Sequence, residues 1–355
     1  MKKEYKIIGL MSGTSLDGVD IALCKFEKNN ELWNFKIINA ETISYNDFWK
    51  NKLKTVGNLP TIEFLLFHKE YGKYLGNLVK QFLEKNNEKA LYVASHGHTI
   101  FHQPEKSFTF QIGDGSEIAA TAGISTISDF RSLDMAFGGN GAPLVPIGDE
   151  ILFSQYDFCL NLGGFANISF NSNKRRIAFD ICPVNIAINY LTMKINIPFD
   201  EDGKIAKSGK INFGLLEKLN NLDYYKNSYP KSLGREWFES NFLKIIESFS
   251  ISIEDKLRTI YEHISIQVVR VVENNTAEKI LISGGGAHNL FLIELFEKKL
   301  KKQIVIPEKE IIDFKEALIF AFLGLLRIEN RANCLSSATG AKFDNCGGVV
   351  HEILS

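Results

Sequence analysis

The chain has 355 residues, 45% of them hydrophobic, and its 41 Lys and Arg residues stand against 42 Asp and Glu, for a formal net charge of -1. At roughly 100–200 residues per domain this length predicts two domains with full hydrophobic cores and excludes a small disulfide-stapled scaffold. The even charge balance argues against wholesale binding of nucleic acid or an acidic membrane surface, which a basic excess would announce, and predicts a small or neutral ligand.

Apolar stretches of strand length alternate with longer helical patterns and Gly-rich turns, which predicts an α/β chain. Tyr5 to Leu10, Val19 to Phe26 and Phe35 to Ala40 read as three successive strands, the first two joined by the polar turn Met11 to Gly18. A helix is expected from about Thr61 to Glu84, where Phe64, Leu65, Leu75, Leu78, Val79 and Phe82 form a stripe at three- and four-residue spacing. Strand Ala90 to Ser95, helix Gly115 to Ala122 and strand Ile124 to Ser128 follow. Tyr156 to Leu162 then runs into Gly163-Gly164 and a second strand, Ile168 to Asn171, repeating the opening strand-turn-strand unit. That repetition predicts a duplicated architecture, with domains 1–150 and 151–355 and a boundary near Asp149 to Asp157. The second half continues with strand Arg176 to Phe179, a helix after Pro183, helical stretches Arg235 to Ser248 and Ile253 to Asn274, strand Lys279 to Ser283 and a helix after His288.

Cys24, Cys159, Cys182, Cys334 and Cys346 are scattered without a CxxC pair, which predicts buried free thiols in a reducing compartment. The basic start meets Gly13, Asp17 and Asp20 too soon for a signal peptide. The longest clean apolar run, Ala317 to Leu326, is short of the ~18–20 residues of a membrane span. A soluble cytoplasmic protein is expected.

Four Gly-rich turns carry the chemical signal: Met11 to Gly18, Gly138 to Gly141, Gly163 to Asn167 and Ser283 to Asn289, three of them directly after an apolar strand. Glycines at strand ends let backbone N–H groups approach an anion, and Ser or Thr hydroxyls add donors. Neither the P-loop nor the dinucleotide fingerprint occurs, so a nucleotide would be held another way. His96, His98 and His102 offer a metal-like spacing, but a polar wall is the plainer reading.

The segment Ile8-Gly9-Leu10-Met11-Ser12-Gly13-Thr14-Ser15-Leu16-Asp17-Gly18-Val19-Asp20 resembles the opening motif of the anhydro-N-acetylmuramic acid kinases, a family within the actin-like, sugar-kinase and Hsp70-type ATPase fold. The similarity continues through Ser95 to Thr99, Asp129-Phe130-Arg131 with Asp134, Gly138 to Pro146, Asn161 to Asn167, Lys231 to Glu236, Ser283 to Asn289 and Glu316-Ala317-Leu318. It implies a two-domain actin-like ATPase (a duplicated ribonuclease H-like fold) with ATP in the cleft between the domains, and a homodimer. Gly13, Thr14, Ser15, Leu16, Asp17, Gly18, Val19 and Asp20 would form the first phosphate loop, Gly163 and Gly164 the second, and Gly284, Gly285 and Gly286 a platform beside the adenosine. Mg²⁺ would meet Asp17, phosphate oxygens and water, in keeping with its preference for few carboxylates.

The family hydrolyses the internal 1,6-anhydro bridge of 1,6-anhydro-N-acetylmuramic acid and phosphorylates the freed oxygen. The resemblance places the general base at Asp180 and a second carboxylate at Glu316, with Ser12, His96, Arg131 and Asp134 on the sugar. By residue type alone Asp180 could equally cap the helix after Pro183, and Glu316 could be a first-turn helix acid. A planar Arg fork suits the lactyl carboxylate of a muramic sugar. One departure stands out: where the family reads Thr-Gly-Pro-Gly-Asn after the base, this chain has Ile181-Cys182-Pro183-Val184-Asn185, which is expected to reshape the loop. A kinase of an already open amino sugar and a non-catalytic nucleotide-binding protein are the alternatives.

Overall fold

The structure, a computed structural model, describes residues 4–13, 16–29, 32–273 and 278–354. It divides into two compact units, Met1–Phe153 with Phe314–Ser355, and Ser154–Asp313.

The first unit is built on a seven-stranded sheet of β1 (Glu4–Ser12), β2 (Gly18–Asn29), β3 (Leu32–Ser44), β4 (Tyr92–Gln103), β5 (Phe108–Ile112), β6 (Thr126–Ser128) and, from the far end of the chain, β12 (Val349–His351). β1, β2 and β3 pair antiparallel, while β1, β4 and β6 run parallel. Helices at Thr61–Asn86 and Gly115–Ala122 contribute Phe67, Tyr71, Leu75, Val79 and Ile118 to a core that also holds Ile8, Leu10, Ile21 and Val93. The helix Asp47–Thr55, capped by the Asn46 side chain accepting from Trp49 N at 3.0 Å, and the β4–β5 hairpin were not evident from periodicity.

The second unit repeats the pattern in a five-stranded sheet of β7 (Phe158–Leu162), β8 (Phe165–Ser172), β9 (Arg175–Pro183), β10 (Lys279–Ser283) and β11 (Gln303–Val305). Here β7 to β9 are antiparallel and β7, β10 and β11 parallel, so β7 plays the part of β1. Two sheets of one topology in one chain are the duplicated actin-like ATPase architecture. The long helix Ile253–Glu273 lies in the core of this unit, burying Leu257, Ile260, Ile264 and Val268. The expected helix over Arg235 to Ser248 is instead interrupted by a wider π turn at Phe238–Phe242.

The first unit takes back the end of the chain, which differs from a second domain running through residue 355. The physical reason lies in the helix Lys309–Ile328. It loses helical geometry at Phe314 (φ -118°, ψ 15°), and beyond that break its apolar side chains settle on the first sheet. The ring of Phe322 lies 5.4 Å from Phe26, and that of Phe320 lies 4.7 Å from His96. A Cβ on Gly9 of β1 would overlap the Ala317 carbonyl oxygen, so only glycine permits this approach. Gly9→Ala is expected to cost about 3 kcal/mol or more, since the obstacle is backbone that no rotamer can relieve; urea denaturation of the variant checks it.

Candidate active site

In the first unit the predicted residues gather at the carboxyl ends of β1, β4 and β6, where parallel strands of α/β sheets present ligands. Ser12 ends β1 and is buried; its Oγ lies 2.6 Å from the Tyr45 hydroxyl and 2.8 Å from His98 Nδ1. Leu16 (φ 62°) donates back to the Gly13 carbonyl at 3.3 Å, and Tyr45 N binds the Asp17 carbonyl at 3.2 Å, so both ends of this loop are tied. Thr14 and Ser15 lie outside the described residues. Gly18 must be glycine because a Cβ would overlap the Ile43 carbonyl of β3. Val19 is core, Asp17 is exposed, and Asp20 Oδ1 accepts from Thr42 Oγ1 at 2.6 Å.

Arg131 donates from Nε (3.1 Å) and Nη2 (2.8 Å) to His96 Nε2 and from Nη1 to the Gly141 carbonyl (2.6 Å). Arginine has no acceptor, so His96 Nε2 must be bare and its proton sits on Nδ1, 3.0 Å from the Gly97 carbonyl. Burial, and then the Arg131 charge, push the His96 pKa well down, in agreement with a neutral ring. His98 is likewise neutral, lowered to about 4 by burial. Burial brings Arg131 down to about 10, which leaves it charged at neutral pH. Glu316 keeps solvent access, yet crowding by protein atoms and the nearby Asp20 push its carboxyl upward, against the pull of Arg131 and Lys315.

Asp134 departs from the expected contact with sugar. It is fully buried, and its Oδ1 accepts from Thr339 Oγ1 (2.8 Å), Asn345 Nδ2 (2.9 Å) and Cys334 Sγ (3.1 Å), with Gly141 N on Oδ2 (2.8 Å). It therefore shapes the loop that Arg131 grips and has no surface to offer a ligand. Arg131 pairs with His96.

In the second unit, Asp180 lies on β9 opposite Asn167 of β8. Leu233 N donates to its Oδ2 at 2.8 Å, and the Tyr224 hydroxyl holds its backbone carbonyl at 2.6 Å. Burial raises its pKa to about 6, with the Leu233 amide opposing that rise. No helix cap uses its side chain: the helix Asn185–Met193 begins with Val184 as an uncapped N-cap. The altered loop is absorbed into the core, because Ile181, Cys182 and Val184 are all buried and Val184 keeps a negative φ of -125°. Gly163 and Gly164 turn between β7 and β8 and accept from Asn185 N and Val184 N, which fixes the start of that helix beside them. Gly284 (φ 77°) and Gly286 fold against Asn161 and Leu162, bringing the two Gly turns together. A Cβ at Gly164 would meet no protein atom within 4 Å, and one at Gly285 only Asn185 Nδ2 at 3.8 Å, so both leave room for a ligand to approach backbone.

The sequence profile of the family described as "Anhydro-N-acetylmuramic acid kinase" matches residues 5–352. The chain belongs to the anhydro-N-acetylmuramic acid kinase family. Curated relatives of that name include one from Francisella tularensis subsp. novicida, 36% identical over 370 residues that cover 96% of this chain and 97% of the relative. Another, from Vibrio cholerae, is 34% identical, with 99% of each chain covered. A solved structure of an activator of 2-hydroxyisocaproyl-CoA dehydratase from Clostridium difficile with bound ADPNP is 15% identical, covers 90% of this chain and 92% of its own, and has a TM-score of 0.41. The anhydro-N-acetylmuramic acid kinases are sugar kinases that use ATP, and the assignment makes this chain an ATP-dependent enzyme with a small-molecule sugar substrate.

Among the described residues no three His, Cys, Asp or Glu side chains are arranged to hold a metal. No helix among them is long and apolar enough to cross a membrane. Tyr45 and Tyr224 stand in no motif, and Leu233, inside the Lys231 to Glu236 segment, acts through its backbone amide, so residue type marked none of these three contacts in the sequence. Asp134→Ala is expected to cost at least about 3 kcal/mol by stranding four buried donors. Urea denaturation beside a KM measurement separates this loss of stability from a loss of substrate contact, which would raise KM alone.

Proposed function

We propose that this chain hydrolyses the 1,6-anhydro bond of 1,6-anhydro-N-acetylmuramic acid and transfers the ATP γ-phosphoryl group to O6, giving N-acetylmuramic acid 6-phosphate and ADP in cell-wall recycling. The observation that carries the reading is Asp180, a carboxylate whose pKa near 6 leaves it ionised at neutral pH yet basic enough to accept a proton. The Leu233 amide fixes Oδ2, and Oδ1 receives the proton of the attacking water. The water oxygen bonds to the anomeric carbon, the bond from that carbon to O6 breaks, and O6 takes the phosphoryl group as ADP leaves. An inverting glycosidase needs a second carboxylic acid for the leaving oxygen. Here phosphoryl capture takes over that task.

In the first unit, Glu316 is the second carboxylate of the reaction, and Ser12, His96 and Arg131 face the sugar. Three of Arg131's donors are engaged by His96 and Gly141, so the residue meets an anionic lactyl group with its charge and its remaining N–H groups rather than with a free fork. Backbone amides from Gly13 to Asp20 and at Gly163 and Gly164 cradle phosphates, and Gly284, Gly285 and Gly286 flank the adenosine. The exposed Asp17 carboxylate would be the protein partner of Mg²⁺, which takes few carboxylates beside phosphate oxygens and water. The ion would neutralise charge on the transferred phosphoryl group. A cytoplasmic location and a homodimer belong to the same reading.

Reaction with ATP and the anhydro sugar in heavy-oxygen water, read by mass spectrometry, should place one heavy oxygen on the anomeric carbon and a phosphate on O6. Phosphorylation of only the open amino sugar would identify a simple kinase instead, and nucleotide binding without turnover a binding protein. Asp180→Asn should lower kcat about 10²–10⁴-fold. Because kcat requires ionised Asp180, it should fall about tenfold per pH unit below about 6 in the unaltered enzyme. Stability runs the other way. The folded state holds the Asp180 proton more tightly than the unfolded chain, so ionisation between about pH 4 and 6 removes stability as pH rises, and Asp180→Asn should raise the melting temperature at pH 7.5.

A further inference from the structure

The residue preceding Glu316 is gripped from two sides. Lys315 Nζ lies 2.7 Å from Asp149 Oδ1, with both side chains only 5% exposed, and 5.1 Å from the centre of the Phe153 ring. Asp149 and Phe153 are four residues apart, on one face of the helix Val145–Leu152 and its C-cap, so a single element supplies both contacts. Phe153 is itself set edge-on against Phe35 of β3, at 5.2 Å. At Phe314, immediately before Lys315, the helix Lys309–Ile328 loses helical geometry, so the helical ladder does not by itself fix the direction in which Glu316 leaves the backbone. A buried ion pair is a weak source of net stability, and its better-attested use is to specify one arrangement.

We infer that Lys315, clamped by Asp149 and Phe153, is a positioning residue that aims the Glu316 carboxylate. The inference rests on the reading of Glu316 as a participant in the reaction. Three charged groups act on Glu316 through their fields: Asp20 from β2, Arg131 from the segment after β6, and the neighbouring Lys315, whose own head turns to Asp149. Asp20 opposes its ionisation, and Lys315 together with Arg131 offsets that opposition. The clamp also keeps the lysine stem from swinging away with a chain that has just lost its helical path.

The test is a variant series assayed for kcat, for KM of both substrates from about pH 5 to 9, and for melting temperature. Lys315→Met should lower kcat about tenfold, move the acid limb of the kcat profile to higher pH and leave KM for ATP within about twofold. Because that variant removes the cation beside the buried Asp149, the double variant Asp149→Asn with Lys315→Met is made beside it and should show the same kinetic defect with no carboxylate charge at that position. Lys315→Arg should restore most of the rate. A double variant with unaltered kcat and an unmoved acid limb, changed only in melting temperature, would overturn the inference. Glu316→Gln with full activity would instead overturn the role of Glu316 itself, whatever Lys315 does.

Discussion

Much of the first unit depends on how closely the helix Lys309–Ile328 lies on β1. Gly9 has no Cβ, and the Ala317 carbonyl occupies the space that one would take. Gly324 repeats the device one strand over, where a Cβ would come 2.7 Å from that of Ala94 on β4. Two glycines, one on each surface, thus let the backbone of a helix approach the sheet more closely than side chains allow. Glu316 is the residue next to that contact, so its position follows from the approach. From there it faces Asp20, whose strand pairs with β1 through Met11, and Arg131. An apolar helix face and the place of the proposed second carboxylate are fixed by the same contact.

Around this frame, neutral and charged groups are sorted by burial. His96 and His98 are stripped of charge, whereas Arg131 keeps its own, because its guanidinium donates to the bare nitrogen of His96 and to a backbone carbonyl. Asp134 stays satisfied in a fully buried position by gathering four donors from two segments. In the second unit Asp180 receives one carboxylate donor, the Leu233 amide. This contrast has chemical content: a carboxylate saturated with donors is structural, and one left under-satisfied in a crowded site is raised toward the pH at which it can exchange protons. The cost of holding Asp180 charged is carried by the rest of the unit, whose core is continuous from β7 to the helix Ile253–Glu273.

Apolar runs of strand length, the apolar stripe from Phe64 to Phe82 and the Gly-punctuated strand ends made the α/β class, the duplication and most element positions readable before any coordinates. The first passage between units falls at Phe153 and Ser154, inside the stretch Asp149 to Asp157 that the repeated strand-turn-strand unit suggested. The return of residues 314–355 to the first unit was not readable, since an apolar helix pattern states that a face is buried and not on which sheet. Asp134 illustrates the same gap within the site. Its place in a motif with Arg131 suggested a shared ligand, and only the tertiary structure distinguishes a residue that meets substrate from one that holds the loop beside it.

Local chemistry was therefore determined by the sequence itself: which segments form strands, which turns need glycine, and which family the order of these motifs matches. Tertiary structure decided the pairing of distant groups, Lys315 with Asp149, Arg131 with His96, and Asp180 with the Leu233 amide. The physical reason is range. Periodicity and turn chemistry act over a few residues, whereas a pKa or a buried ion pair depends on which atoms exclude water from it, and those atoms come from segments up to 166 positions away in the chain for Lys315 and Asp149 (315 − 149 = 166).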